Sequence, residues 1–354
     1  MKLDEFYKGK RVFVTGHTGF KGSWLCVMLS ELGAEVYGYS LQPGTDPALF
    51  DILGLEKKVH STIGDIRDID CLEKAYVAAN PDVVLHLAAQ PIVRDSYKNP
   101  RYTYETNVMG TVNILECLRK HPGAVSFLNV TTDKVYENND IFDHAFKEDE
   151  KLDGYDPYSN SKSCSELVTH SYRKSFFAED SATAISTARA GNVIGGGDFA
   201  NDRIIPDCVR ATVAGKSIGV RNPYSTRPYQ HVLEPLFVYL TIAMKQTLDK
   251  KYADYYNIGP RDEDCITTGD LADAFVKYWG PEAKWVNEAE ANAPHEASFL
   301  KLDCSKARET FGWKPVWHAD EAIRETVEWY KAWNQGRDMY EYTRQQVNTH
   351  LSSY

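Results

Sequence analysis

Long apolar runs are missing from this sequence. No segment approaches the roughly 20 apolar residues that a membrane helix needs. The opening residues, MKLDEFYKGK, hold no apolar stretch of signal-peptide length. Positive charge is in deficit: 40 Lys and Arg stand against 50 Asp and Glu, a net charge of −10. That balance argues against binding nucleic acid or an anionic membrane surface. Paired cysteines are missing as well. Cys26, Cys71, Cys117, Cys164, Cys208, Cys265 and Cys304 lie far apart and form no C-x-x-C. This excludes a disulfide framework and a zinc site, and it fits a reduced, cytoplasmic protein. No repeat or low-complexity stretch occurs, and the composition excludes collagen, coiled coil and intrinsic disorder.

What remains is an ordinary globular composition over 354 residues, 43% hydrophobic and 25% charged. At about 150 residues each, that is roughly two domains. The first half alternates short β-branched runs with helical patterns. Strands are expected at Arg11–Thr15, Glu35–Ser40, Asp82–Leu87, Val125–Thr131 and Ala184–Ala188. A helix at Trp24–Leu32 carries Leu25, Met28, Leu29 and Leu32 on one face. Strands separated by helices imply an α/β fold with a doubly wound parallel sheet. After Gly191, residues such as Gly195, Gly196, Gly197, Pro206, Pro223, Pro228 and Pro235 mark loops and short helices. A late strand at Tyr255–Ile258 and helices at Thr268–Tyr278 and Asp320–Trp333 follow. The division expected is 1–190 for a dinucleotide-binding domain, with segments near 231–260 returning to it. A smaller mixed α/β substrate domain takes 191–354.

Gly16-His17-Thr18-Gly19-Phe20-Lys21-Gly22 reads G-x-x-G-x-x-G between a strand and a helix. Glycines let backbone approach a pyrophosphate, and the helix N-terminus supplies N–H donors and a positive dipole end. The acidic residue expected at the end of the second strand is replaced by Tyr39-Ser40-Leu41. No Arg stands there to hold a 2′-phosphate, which favours NAD over NADP. Asp65, in Gly64-Asp65-Ile66-Arg67, could accept from the adenine amino group or cap a helix.

Tyr158 and Lys162 are spaced i, i+4 and share a helix face. A Lys beside a phenol lowers its pKa and makes Tyr a usable base near neutral pH. Thr132, Asp133 and Lys134 leave the C-terminal end of the strand before that helix. Ligands of open α/β sheets bind outside such ends.

These stretches together resemble the extended short-chain dehydrogenase/reductase family. VTGHTGFKG, GDIRD, HLAAQ at His86–Gln90, Asn107, TTDKVY, Tyr158-x-x-x-Lys162, RAGNVIG, YNIG and LDCSKARETFGWKP carry the likeness across nearly the whole chain. Within the family, Thr132-Asp133 is similar to the nucleotide-sugar 4,6-dehydratases, since 4-epimerases have a small residue in place of the acid. Most 4,6-dehydratases show Thr-Asp-Glu; Lys134, GHTGFKGSWL and STRPYQHVLEP look closest to members acting on CDP-glucose.

The resemblance implies NAD held by Gly16, His17, Gly19, Phe20, Lys21, Gly22, Asp65, Ile66, Leu87, Ala88, Ala89, Asn107, Tyr158 and Lys162. It implies oxidation at sugar C4 with Tyr158 as base, Lys162 assisting and Thr132 on the 4-hydroxyl. Water would then leave across C5–C6 with Asp133 as general acid, before hydride returns to C6. Lys134 would serve as C5 base if neutral, or as enolate stabiliser if charged. Asn192, Arg203 and Arg227 are candidates for the sugar diphosphate, with surface salt bridges as the alternative for each Arg. Tyr229 and His231 could flank the nucleotide. His86 reads as a packing residue. His17 stands where relatives have a small residue, and would weaken NAD binding. The likeness also implies a homodimer or dimer of dimers through helices near Thr106–Lys120 and Tyr158–Phe177. Val108, Val112, Leu115 and Leu118 would suit that contact or burial on the sheet. The product would feed a deoxysugar pathway for surface polysaccharide. The rivals are another 4,6-dehydratase, using TDP-glucose or GDP-mannose, a 4-epimerase, or an NAD-sensing scaffold without catalysis.

Overall fold

β-Branched and aromatic residues build the strands of the central layer. The computed structural model describes residues 1–139, 141, 143–178, 180–289 and 300–354. Its main sheet has seven strands: β1 (Arg11–Thr15), β2 (Glu35–Ser40), β3 (His60–Ile63), β4 (Val83–His86), β5 (Ser126–Thr132), β6 (Ala184–Ala190) and β7 (Tyr255–Ile258). Their order is β7-β6-β5-β4-β1-β2-β3, and every pairing is parallel. The strand order reverses between β1 and β4, which opens a crevice at their C-terminal ends. β5 and β6 are buried along their whole length, as a parallel sheet covered on both faces requires.

Helices cover both faces: α1 (Phe20–Glu31), α2 (Ile69–Ala79), α3 (Gly110–Lys120), α4 (Pro157–Phe176), α5 (Leu233–Leu248), α6 (Thr268–Trp279), α7 (Ala319–Asn334) and α8 (Met339–Leu351). α1 starts four residues before the expected Trp24, because the glycine loop turns straight into the helix with Gly19 as its N-cap. β3 has no counterpart among the expected strands. It is an edge strand of sequence HSTI, mostly exposed, and lacks an apolar run. Pro206 and Pro235 lie in first turns of the helices Ile204–Val213 and Leu233–Leu248. The missing N–H costs nothing there, so these prolines start helices, and the second of them is longer than the short helices expected.

Chain from the second half returns to the sheet. α5 lies against it, with Tyr7 Oη donating to the Leu240 carbonyl, and β7 forms its edge. One apolar core runs from Leu3 to Val347, through Val12, Trp24, Tyr239 and Trp329. A second core, on the other face, holds Phe13, Tyr76, Ile114, Leu115, Leu118 and Phe127. Leu115 and Leu118 are thus consumed within the chain, while Val108 and Val112 stay half-exposed. No described helix is long and apolar enough to cross a membrane.

Candidate active site

The loop after β1 is closed around its glycines. Gly16 has φ +79°, and a Cβ there would lie 2.8 Å from the Ala88 amide nitrogen. A Cβ on Gly22 would lie 2.1 Å from the Gly16 carbonyl oxygen. Both positions therefore need glycine. α1 begins without a side-chain cap, leaving its N-terminal end to meet an anion. The backbone of His17 belongs to this loop, but its ring is fully buried beneath it. The ring meets Ser61 Oγ through Nε2 at 2.7 Å, stands edge-on to Phe50, and fills the space over Gly38. Burial lowers this imidazole to about 4.

On the other side of the crevice, Leu87 and Ala88 donate their amides to Thr15 Oγ1 at 3.1 Å each. Ala89 follows, and Gln90 is pinned by Asn107. Asn107 Oδ1 accepts from the Gln90 amide at 2.8 Å, and Nδ2 donates to the Gln90 carbonyl and to Ser161 Oγ. Asn107 sits in a π-helical turn, Glu105–Met109, that bulges it toward the sheet end. His86 is a buried hydrogen-bonded residue between Thr15 Oγ1 (2.7 Å) and Thr111 Oγ1 (3.1 Å), and burial holds it neutral at about 3.

Asp65 neither caps a helix nor offers a free carboxylate. Both oxygens are taken by the Arg67 guanidinium, and Oδ1 also accepts the Arg67 amide. Asp68 is the cap of α2 instead, accepting from the Cys71 amide. Ile66 is buried against Gly110.

The end of β5 and the start of α4 carry the reactive groups. Asp156 caps α4 through the Ser159 amide, and Pro157 opens the first turn. Tyr158 and Lys162 then project from one face and are both buried. Thr132 Oγ1 donates to Asp133 Oδ1 at 2.9 Å, and Thr132 lies close enough to Tyr158 to act on its phenol. Asp133 is only 2% exposed. Lys134, half-buried, is the middle residue of the short helical turn Asp133–Val135, its amide donating to Thr132 Oγ1 at 3.4 Å.

The electrostatics depart from the expectation for Tyr158. Its phenol is pushed up to about 12. Burial is the largest cause; the Thr132 hydrogen bond and the charge of Arg203 pull it back. Lys162 Nζ, on the same helix face, donates to the Val130 carbonyl at 3.1 Å. Burial and the nearby charge of Lys21 lower Lys162 to about 8, against the attraction of Glu166. Lys21, half-buried at the start of α1, is likewise lowered to about 8. Burial leads, followed by Arg203, against the charge of Asp133.

Among the substrate candidates, Arg203 is brought to this centre. It pairs with Asp198 at 2.8 Å, and its charge acts on Tyr158. Asn192 is half-buried beside Gly191, which packs on Asp133. Arg227 lies on a short strand, Thr226–Pro228, paired antiparallel with Cys265–Thr267. Tyr229 is buried with its hydroxyl 3.3 Å from Thr268 Oγ1. His231 cannot flank a nucleotide: it is fully buried, between the rings of Trp24 and Trp317.

Sequence reasoning missed the polar framework beneath these groups. Glu166, on α4, and Arg189, on β6, form a buried ion pair. The signal was a lone Arg in the otherwise uncharged strand run AISTARA. Among the described residues, no cluster of His, Cys, Asp and Glu could hold a metal.

Residues 13–326 match the family model described as GDP-mannose 4,6 dehydratase. A CDP-glucose 4,6-dehydratase of Salmonella typhimurium is 47% identical over 98% of both chains. A dTDP-glucose 4,6-dehydratase of Escherichia coli is 26% identical over 90% of this chain and 92% of that one. The fold is shared with a Bacillus anthracis dTDP-glucose 4,6-dehydratase in complex with NAD, at TM-score 0.72 and 21% identity. That match covers 94% of this chain and 99% of the other. A Thermotoga maritima UDP-glucose 4-epimerase with UDP-glucose matches at TM-score 0.77 and 22% identity, over 91% and 99%. A doubly wound sheet with Thr132, Asp133, Tyr158 and Lys162 gathered at its switch-point end accords with these matches, and the chain belongs to the GDP-mannose 4,6 dehydratase family of extended short-chain dehydrogenase/reductases.

Proposed function

We propose that this chain is an NAD-dependent hydro-lyase that converts CDP-glucose to CDP-4-keto-6-deoxyglucose and water. The observation that carries the chemistry is the buried group of Tyr158, Thr132 and Asp133, with Thr132 hydrogen-bonded to Asp133 and Lys162 on the helix face of Tyr158. The choice of CDP-glucose is supported by the 47% identity to the Salmonella enzyme and by Lys134, where most 4,6-dehydratases have Glu.

The residues present fit a dinucleotide. Gly16 and Gly22 keep the loop clear of Cβ atoms, and the uncapped start of α1 suits a diphosphate. Gly16, His17 through its backbone, Gly19, Phe20, Lys21 and Gly22 would hold that part, Ile66 the adenosine end, and Leu87, Ala88, Ala89, Asn107, Tyr158 and Lys162 the nicotinamide end. NAD, when bound, supplies the redox chemistry, taking hydride from C4 and returning it at C6. Residues 1–190 and the returning chain near 231–260 would form the cofactor half, and 191–354 the sugar-nucleotide half.

The protein's own groups move the protons. Tyr158, as phenolate, accepts the C4 hydroxyl proton, and Thr132 hydrogen-bonds the same oxygen. A phenol that starts near 12 needs positive charge to ionise; Arg203 acts on it, and Lys162 lies one turn along the same helix face. The C4 ketone acidifies C5–H. Lys134 either removes that proton as an amine or, charged, holds the enolate oxygen. Asp133 gives its proton to the departing C6 hydroxyl, which leaves as water. Arg203, Arg227 and Asn192 hold the diphosphate and sugar. Two copies would pair through α3 and α4, with Val108 and Val112 supplying the half-exposed apolar surface.

Product mass tests the reading. With NAD, the protein is given CDP-glucose, TDP-glucose, UDP-glucose and GDP-mannose separately. Loss of one water from CDP-glucose alone is expected. Loss from another sugar would keep the chemistry and overturn the specificity; no loss from any would overturn the reading.

A further inference from the structure

The reaction scheme leaves one charged pair unused. Glu166 and Arg189 are both 0% exposed. Arg189 Nε donates to Glu166 Oε1 at 2.9 Å and Nη2 to Oε2 at 2.8 Å, a bidentate pair. The Thr131 and Thr187 hydroxyls donate to the same carboxylate. Arg189 Nη1 turns the other way, donating to Tyr136 Oη at 2.7 Å and the Glu148 carbonyl at 2.9 Å. Tyr136 Oη in turn donates to Asn257 Oδ1 at 2.6 Å, and its ring stacks on Phe146.

One guanidinium therefore holds two catalytic segments. Glu166 is one helical turn beyond Lys162 on α4. Tyr136 is three residues beyond Asp133 and two beyond Lys134. A buried ion pair is a poor source of stability: apolar residues of equal volume often do as well or better. What such residues lack is direction.

We propose that the Glu166–Arg189–Tyr136 bridge is a positioning device. It fixes the proton-transfer face of α4, with Tyr158 and Lys162, relative to the turn that carries Asp133 and Lys134. None of the three needs to touch substrate. The bridge also acts on charge. Burial opposes the ionised form of Glu166, but Arg189 and the Thr131 hydroxyl hold its carboxyl below the ordinary range. That carboxylate favours the Lys162 ammonium, which faces Lys21 from α1, neutral His86 from β4 and Tyr158 on its own helix. The inference rests on the dehydratase reading.

Two variants of the full chain test it, with turnover of CDP-glucose by the unaltered protein measured first. Tyr136→Phe keeps the ring and the ion pair but cuts both hydroxyl links. The expected result is a roughly tenfold or greater fall in kcat with KM little changed, and water loss slowed more than C4 oxidation. Glu166→Leu with Arg189→Met removes both charges and keeps the volume. Lys162 then loses the carboxylate that keeps it protonated, so the alkaline limb of kcat moves to lower pH. A merely structural pair would lower Tm and leave that limb in place. Unaltered kcat in Tyr136→Phe together with an unmoved limb in the double variant overturns the proposal. If the double variant does not fold, Tyr136→Phe decides alone. An unaltered protein inactive on every nucleotide sugar would overturn the dehydratase reading, and the inference with it.

Discussion

Replacing Gly191 by alanine would press on the proposed acid and on little else. The φ of Gly191 lies outside the left-handed region, so the added methyl brings no backbone strain. The new Cβ would lie 2.8 Å from Asp133 Oδ2 and 3.5 Å from Pro228 Cγ. The backbone cannot easily give, because Ala190 is held in register with Thr132 at the end of the β5–β6 ladder. The Asp133 carboxylate must therefore retreat, by about half an ångström to reach ordinary contact. Its bond from Thr132 Oγ1, now 2.9 Å, lengthens or rotates. Misplacement of a reacting group by about 1 Å costs on the order of a hundredfold, so about half that shift predicts roughly a tenfold loss, near 1.4 kcal/mol. The loss should fall on water elimination. C4 oxidation should be largely kept, since the atoms nearest the new methyl belong to Asp133 and Pro228. In a single turnover with CDP-glucose, mass spectrometry follows loss of water while absorbance follows reduced nicotinamide. The reduced cofactor should accumulate in the variant. A normal rate of water loss, or equal slowing of both steps, would refute the assignment of Asp133.

Other substitutions reach different parts of the centre. Lys134→Ala should abolish solvent exchange at C5 while leaving C4 oxidation; unchanged product formation would remove Lys134 from the mechanism. Lys134→Arg then separates the two roles, because an arginine keeps the charge but cannot act as base: exchange should survive only if the charge is what matters. Lys162→Met should abolish turnover yet stabilise the ligand-free protein at pH 7. The Lys162 ammonium, lowered to about 8 by burial and Lys21, is less favoured folded than unfolded. It thus costs stability fully below pH 8, and the cost fades as pH rises toward the ordinary lysine value. The gain, about 2–3 kcal/mol before the lost bond to Val130 is counted, should shrink over that range in melting curves. A lower Tm at pH 7 would contradict this. His17→Gly removes a fully buried ring and its bond to Ser61, and should cost about 2–4 kcal/mol in denaturant melts. An unaffected midpoint would mean that the loop repacks over Gly38.

Much of the centre was legible because its chemistry needs particular residues at particular spacings. The glycine loop, the i, i+4 Tyr–Lys pair and Thr132-Asp133-Lys134 declare themselves in the sequence, and parallel strands carry them to one sheet end. What stayed hidden depends on side-chain direction. His17 was expected to crowd the loop because relatives have a small residue there, yet its ring turns beneath. His231 sits in a polar run, STRPYQH, but the two tryptophans enclosing it come from distant parts of the chain. Asp65 has a partner two residues away, and no spacing rule says whether Arg67 curls back onto it. β3 escaped because an exposed edge strand needs no hydrophobic pattern. The ionisation of Tyr158 was misjudged for a related reason. The Tyr–Lys spacing fixes a shared face but says nothing of burial, which pushes the phenol up.

The charge balance of the chain and that of its centre run in opposite directions, and this bears on how the centre works. A protein of net charge −10 gathers Lys21, Lys134 and Arg203 near its centre, where Lys21 feels the charges of Arg203, Asp133 and Lys134 and Arg203 pairs with Asp198. Lys162 stands next to them. Packing cations together in low dielectric is unfavourable: burial first, and then the neighbouring cations, depress the ammonium groups of Lys21 and Lys162. Dehydration at C5–C6 gives the reason to bear it. The 4-keto intermediate develops enolate charge within the site, and the diphosphates of cofactor and substrate bring more. Each would be stabilised by cations already in place, with no reorganisation at the moment of reaction. Arg189 and Glu166 fit the same logic: the carboxylate that helps keep Lys162 protonated is itself held in place by a buried guanidinium.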